Sequence, residues 1–182
     1  MIHILAPIKF NINTQGMYHT IEDFTKDWKT EEEFTIRTFS MISAEAKAIK
    51  LHVNVRSLDR LAWHLTQTIS EMGTKAGLFD QDDLEHKGIP ATIEEICSVY
   101  EKYSGLLSEA VSSRWTDAEL SDQVAMYGDE WSKGKILQVF ILHQTHHRGQ
   151  MTVIMRMLGL PIPGIYGPTK EEWLQFGLTP ME

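Results

Sequence analysis

The chain has 182 residues, a length that favours one folded domain. Hydrophobic residues make up 42% of it and charged residues 23%, which excludes wholesale disorder and supplies enough apolar material for a core. With 17 Lys and Arg against 25 Asp and Glu, the formal net charge is −8. Because no basic run offsets this charge, the composition argues against nucleic acid and anionic lipid as partners.

The single cysteine, Cys97, excludes an intrachain disulfide and any metal cluster built from several cysteines. No apolar run approaches the roughly 18 residues that a membrane-spanning helix needs. The first residues, MIHILAPIKF, lack the basic start and the long apolar stretch of a secretory signal. These features predict a soluble, cytoplasmic protein with no membrane partner.

The N-terminal segment differs from the rest of the chain. Residues 1–16 are β-leaning and do not share the helical pattern that follows, whereas Met17 opens the periodic part. We therefore expect an N-terminal extension over 1–16, irregular or β, and one domain over 17–182. Residues 51–55 are the other segment with strand character.

Two helices are predicted in the first half of the chain. The first begins after Thr20 and carries an apolar stripe that Glu31 and Glu32 interrupt, so its continuity is open. The second begins after Ser57, a good N-cap residue, and its stripe fades at Gly73. The stripe residues are Ile21, Phe24, Trp28, Phe39 and Ile42 in the first helix, and Leu58, Leu61, Ala62, Leu65, Ile69 and Met72 in the second.

Capping signals place the next elements. A third helix follows Thr92-x-x-Glu95, which is a capping box, and the same signature at Thr116-x-x-Glu119 predicts a short extra helix. We interpret residues 121–131 as a loop.

A fourth helix is predicted over residues 132–158, because Gly159 and Pro161 are suited to end it. The Pro- and Gly-rich tail offers one further turn near 171–176. Four amphipathic helices with connections of moderate length predict an all-α protein, a four-helix bundle.

The fourth helix carries the most informative residues. His143 and His147 are four residues apart, so they project from the same face of a helix. That face is otherwise apolar, and two buried imidazoles are costly without hydrogen-bond partners or a metal. Nearby, Gln150 lies on nearly the same face and could orient a ligand or contact a substrate. Arg148 points toward a neighbouring helix, where we expect it to pair with a carboxylate.

A catalytic metal rarely has only two protein ligands, so a third is expected from another helix. His64 is the best candidate, because it flanks the apolar stripe of the second helix. The other histidines are weaker candidates: His146 lies to the side of the pair, and the remainder lie in connections or near the domain start, namely His3, His19, His52 and His86.

Purely structural roles for these residues stay open. The three histidines could be satisfied core histidines of a plain bundle, and Cys97 fits inert packing better than a nucleophile. No general base stands out in the sequence. Asp59 lies about 140° around the helix from His64, while Tyr127 and Glu130 precede the fourth helix and could reach the mouth of the bundle.

These motifs resemble the DinB/YfiT-like family of metalloenzymes over roughly residues 17–178. The matching segments are HQTHHRGQMTVIMRMLGLPIPGIYGP, RSLDRLAWHLTQTISEM upstream of it, and an opening like YHTIEDFTKDW. The family name records induction by DNA damage and not DNA binding.

The resemblance implies a bundle of up-down-down-up order, often a homodimer. It implies a divalent metal, zinc or nickel, held by His64, His143 and His147. It also implies small-molecule substrates: some relatives transfer a low-molecular-weight thiol such as bacillithiol, and others act on amide or ester-like substrates.

Three imidazole ligands leave a coordination position open, which is typical of a catalytic site. That position suits a small thiol, as in an S-transferase, or a water, as in a hydrolase. The alternative function is a metal-binding stress-response protein without turnover.

Overall fold

The computed structural model describes residues 16–180. Its main elements are four long helices, so the predicted all-α four-helix bundle is confirmed; the N-terminal extension, up to residue 15, lies outside the described residues. The helices are α1 (Ile21–Ser40), α2 (Leu58–Lys75), α3 (Ile93–Arg114), α4 (Lys133–Met157) and a short α5 (Lys170–Gln175).

Side-chain caps explain where several helices begin. Thr20 accepts a hydrogen bond from the Asp23 N–H at the start of α1, and Thr92 and Glu95 form both halves of a capping box at α3. Ser132 caps α4 by accepting from the Lys135 N–H. Each cap satisfies a backbone donor that the first helical turn leaves free. The signature after α3 produces a 3₁₀ turn, Asp117–Ser121.

The first helix is continuous through the two glutamates that interrupt its apolar stripe. Glu31 is buried and occupies the core-facing position between Trp28 and Thr35. The stripe therefore includes a charged residue and still faces the core. This buried carboxylate is tolerated because it has partners on α4, described below.

Contacts along α1 fix the direction of two neighbours. The Trp28 Nε1–H donates to the Ser104 carbonyl, and Phe39 packs on Tyr100, so α1 and α3 are antiparallel. Trp28 also packs on Phe140, and the Thr35 hydroxyl donates to Gln144, so α4 runs parallel to α1.

Contacts at the helix ends show that α2 and α3 run in the same direction. The first turns of both helices meet at Lys47, whose carbonyl accepts from the Asp59 N–H and whose ammonium reaches the Ala91 carbonyl. At the opposite end, Arg114 donates to the Gly77 carbonyl. The order is therefore up-down-down-up, as the resemblance implied.

A β-hairpin corrects the predicted loop over 121–131. Strands β1 (Gln123–Met126) and β2 (Asp129–Ser132) pair antiparallel, with Met126 opposite Asp129. Tyr127 and Gly128 connect them with φ of 53° and 85°, the positive values of a type I′ turn. Residues 47–56, which the loss of helical period predicts as a connection, do connect α1 and α2: the strand character at 51–55 yields only turns and bends, and Leu51 and Val55 pack on the core from this loop.

The core is one continuous cluster of apolar side chains from all four long helices. Its largest buried members include Trp28, Trp63, Tyr100 and Phe140. Over residues 16–180, no helix combines the length and hydropathy needed to cross a membrane.

Candidate metal centre

Three histidines converge between α2 and α4. His143 and His147 lie one turn apart on α4, with ring centroids separated by 4.5 Å. The His64 ring on α2 faces both, at 5.1 Å from the His143 ring and 4.7 Å from the His147 ring. One nitrogen from each ring lies within 4.8 Å of the other two. Over residues 16–180 this is the one group of three such ligands that could hold an ion.

The nitrogen spacing fits a shared ion. Nε2 of His143 and Nε2 of His147 are 3.2 Å apart. Two nitrogens bound to one tetrahedral zinc at about 2.05 Å would lie about 3.3 Å apart. The pair on α4 therefore matches this geometry without a change of rotamer, and His64 approaches from the opposite helix.

The electrostatic environment keeps the imidazoles neutral. Burial above all, with smaller contributions from the neighbouring histidines and from Arg56, lowers the pKa of both His64 and His143 to about 3. Burial also lowers the pKa of His147, although its hydrogen bond to Gln150 opposes the shift. Neutral imidazole is the form that binds a metal, so these rings need release no proton at pH 7.

The donor set fits a divalent metal such as zinc or nickel. Nδ1 of His143 is buried and has no hydrogen-bond partner among residues 16–180. Buried polar atoms are normally paired, so the cluster is under-satisfied as a purely structural feature. Because imidazole suits several transition metals, the donors alone do not select one.

A glutamine orients one of the rings. Oε1 of Gln150 lies 2.8 Å from Nδ1 of His147, and its Nε2 lies 3.0 Å from Nε2 of His146. The amide oxygen accepts from Nδ1–H, which leaves Nε2 of His147 free to face the other rings. Such partners usually fix the tautomer and direction of a ligating histidine. Gln150 thus orients a candidate ligand, which is one of the two roles that its position in the sequence suggested. His146 lies beside it and is exposed.

Next to the centre, Arg148 pairs with a carboxylate across the helix interface, as expected. Its partner is Glu31 on α1, and both side chains are 2% exposed. Arg148 also donates to the Thr35 hydroxyl at 2.9 Å, while Glu31 accepts from the hydroxyls of Tyr166 and Thr145. Glu31 is not among the site residues that the sequence predicts. Its place on the helical stripe between Trp28 and Thr35 was the available signal.

Comparisons with known proteins identify relatives of this chain. The sequence profile of the DinB family matches residues 17–179. The chain belongs to the DinB family. It is 35% identical over 162 residues to the uncharacterized protein YrdA of Bacillus subtilis (strain 168), which covers 89% of this chain and 97% of YrdA.

Two solved structures of DinB-like proteins are similar to it. One, from Bacillus cereus ATCC 10987, has 33% identity and a TM-score of 0.76, covering 82% of this chain and 100% of that one. The other, YjoA from Bacillus subtilis, has 14% identity and a TM-score of 0.64, covering 81% and 99%. The second likeness shows the fold alone.

Other candidates in this DinB-family protein lie away from the histidines or are otherwise engaged. Burial raises the pKa of the Cys97 thiol to about 11, so the thiol stays protonated. Asp59 accepts from the Ser57 hydroxyl and from the Arg60 N–H. Tyr127 lies beside Glu71 at the hairpin turn, where burial and this carboxylate raise the pKa of the phenol.

Proposed function

We propose that this DinB-family protein is a metal-dependent thiol S-transferase. In this proposal His64, His143 and His147 hold a divalent ion, zinc or nickel, and a low-molecular-weight thiol is the nucleophile. The observation that carries it is the convergence of three neutral imidazoles from two helices, with one nitrogen of each ring within 4.8 Å of the other two and the His143–His147 pair at 3.2 Å. A three-histidine donor set leaves a fourth position for a small molecule.

A divalent ion bound there would lower the pKa of a thiol or a water that shares it. The protein's own groups favour the thiol. Hydrolysis gains from a general base that takes a proton from water, and among residues 16–180 no carboxylate forms a hydrogen bond with any of the three rings. A thiol has the lower intrinsic pKa and loses its proton to solvent without such help.

The sulfur must come from a cosubstrate. Cys97 is the single cysteine of the chain, and it lies on α3 beside Ile42 and Ile93 at a different face of the bundle. In the transfer, the thiolate forms a sulfur–carbon bond with an electrophilic carbon, and the leaving group departs with the bonding electron pair. The thiol proton passes to solvent, and the metal keeps its oxidation state.

Conjugation of a small thiol to monochlorobimane tests this function. We expect zinc- or nickel-loaded protein to accelerate conjugation, and we expect chelator treatment or His147→Ala to abolish the acceleration. His86→Ala is the control, because it removes an exposed histidine that is outside the converging group. Stoichiometric metal binding without acceleration for any of a panel of thiols would support the non-catalytic stress-response alternative instead.

We also propose that the protein forms a homodimer through the outer face of α4. Leu142, Val153 and Met157 lie on this face and are 45%, 61% and 67% exposed. Their spacing of 11 and 15 residues brings them within about 60° of one another around the helix. Sedimentation equilibrium should give twice the chain mass for the native protein and the chain mass for Val153→Asp; a native monomer would contradict the proposal.

A further inference from the structure

Two arginines approach the histidine cluster from the start of α2. Arg60 is one turn before His64 on the helix, and Arg56 comes four residues before Arg60. The Arg60 Nη1–H donates to Oε1 of Gln67 at 3.1 Å. Because Gln67 is seven residues further along, the Arg60 side chain lies along about two turns of helix and passes the turn that carries His64.

The Arg60 guanidinium is held in place by a chain of hydrogen bonds. Gln67 directs its Nε2 to two carbonyls of the loop after α2, that of Leu84 at 2.9 Å and that of Lys87 at 3.4 Å. These bonds use the amide donors of Gln67, so its oxygen faces Arg60. The guanidinium is thus positioned by backbone groups and a neutral amide, and not by a carboxylate.

The two guanidinium groups share an electropositive region. Burial lowers the pKa of Arg60, and Arg56 lowers it further, while Asp59 partly opposes the shift. Between residues 16 and 180, neither arginine forms an ion pair with a carboxylate. The Asp59 carboxylate accepts from Ser57 and from the Arg60 backbone N–H.

This arrangement is unusual on a chain with a net charge of −8. Two guanidinium groups four residues apart that form no ion pair with a carboxylate repel each other, and a bound metal would add two further positive charges. An anionic ligand removes this repulsion. Arg60 has four N–H donors left after its bond to Gln67, and guanidinium donors match the oxygens of a carboxylate.

We propose that Arg56 and Arg60 form a binding site for a carboxylate carried by the thiol cosubstrate. This specificity for anionic thiols rests on the proposed function, since the thiol sulfur would bind beside His64 while the carboxylate binds the guanidinium groups. Neutral thiols of similar size would lack the second contact. The two arginines are specificity residues and do not take part in the transfer itself.

Thiol binding to the cobalt-loaded protein tests the proposal. Cobalt(II) reports a bound thiolate through a charge-transfer absorption band, so dissociation constants can be measured without turnover. The probes are 3-mercaptopropionate, which carries a carboxylate, and 2-mercaptoethanol, which does not. We expect Arg60→Gln and Arg56→Gln each to weaken 3-mercaptopropionate about tenfold and to leave 2-mercaptoethanol within about twofold.

Two further variants control for charge and structure. Lys26→Gln removes one exposed positive charge on α1, far along the chain from the site, and should change neither constant. Arg60→Lys keeps the charge but not the fork of donors, so it should retain part of the preference. Metal content and circular dichroism verify each variant. If Arg60→Gln does not fold, Arg56→Gln decides, because the Arg56 side chain is exposed.

The outcomes separate this proposal from the proposed function. An unchanged ratio of the two constants in both Gln variants overturns the anion site and leaves the thiol chemistry standing. If neither thiol gives a charge-transfer band, the thiol function is wrong, and calorimetry with succinate then decides the anion site. Succinate binding that Arg60→Gln weakens about tenfold supports that site, and its absence overturns the site as well.

Discussion

Oε1 of Gln150 lies 2.8 Å from Nδ1 of His147, one turn away on α4. This contact directs Nε2 of His147 toward Nε2 of His143, at 3.2 Å. A neutral amide, outside the group of ligands, thereby sets which nitrogen of His147 faces the centre. The centre therefore consists of two rings and their orienting amide from one segment of α4, together with a single ring from α2.

Removing this contact should weaken metal binding. We expect Gln150→Leu to lower zinc affinity about 10- to 100-fold, the usual effect of losing a partner that orients a metal-binding histidine. Competition with a chromogenic chelator measures the constant. Gln138→Leu, on the same helix but outside these contacts, is the control. Equal affinity in Gln150→Leu and the native protein would show that the hydrogen bond does not orient the ligand.

The three histidines should be required together. We expect His64→Ala, His143→Ala and His147→Ala each to lose stoichiometric metal, measured by mass spectrometry of the protein after loading and gel filtration. His86→Ala should retain it, because that ring is exposed and outside the group. Full metal occupancy in His64→Ala would show that only the two histidines of α4 are ligands. Metal should also raise the melting temperature of the native protein, since it binds the folded state alone.

The buried ion pair between Arg148 and Glu31 should matter for stability. Glu31→Ala leaves a buried guanidinium without its carboxylate, so we expect a loss of about 3–5 kcal/mol in the free energy of unfolding. Glu171→Ala breaks the exposed pair with Arg156, which solvent and salt screen, so it should cost far less stability than Glu31→Ala. Urea denaturation compares the two variants. Similar small losses in both would show that the buried pair is replaceable.

The metal-free protein should lose stability in mild acid. His64 and His143 have pKa values of about 3 in the folded state and about 6.5 when unfolded. Below pH 6.5 the unfolded chain therefore binds more protons, and the folded state is disfavoured progressively as the pH falls toward 3. We expect each of these two histidines to lower the free energy of unfolding by about 1 kcal/mol between pH 7 and pH 5.5.

The same titration needs a variant that isolates the histidines from the carboxylates. Between pH 7 and pH 5.5, the loss in the free energy of unfolding should be smaller in His64→Gln by the contribution of one histidine. His86→Gln, at an exposed loop position, should leave this loss unchanged. Identical pH dependence in His64→Gln and the native protein would contradict the burial assigned to the His64 ring.

The helices were predictable because their signals are local. The capping box at Thr92 and Glu95 begins α3 where the sequence places it. The hairpin was missed because its strands have four residues each and its turn is Tyr127-Gly128, not the more usual Asn-Gly. Glu31 was taken for an interruption because a buried carboxylate is explained only by its partner 117 residues away.

The candidate site was likewise predictable only in part. The spacing of His143 and His147 on an apolar stripe pointed to a ligand pair, and the resemblance to the family supplied the full set with His64. The pKa shifts, by contrast, depend on burial between α2 and α4. The relation of Arg56 and Arg60 to the three rings likewise depends on how the Arg60 side chain follows the helix, which the sequence does not encode locally.

X-ray absorption at the zinc K-edge of the loaded protein tests the central claim most directly. The account predicts three imidazole nitrogens at about 2.0–2.1 Å and one exchangeable light-atom ligand, which sulfur at about 2.3 Å replaces when 3-mercaptopropionate is added. A shell with fewer than three imidazoles, or a spectrum that His64→Ala leaves unchanged, would contradict it.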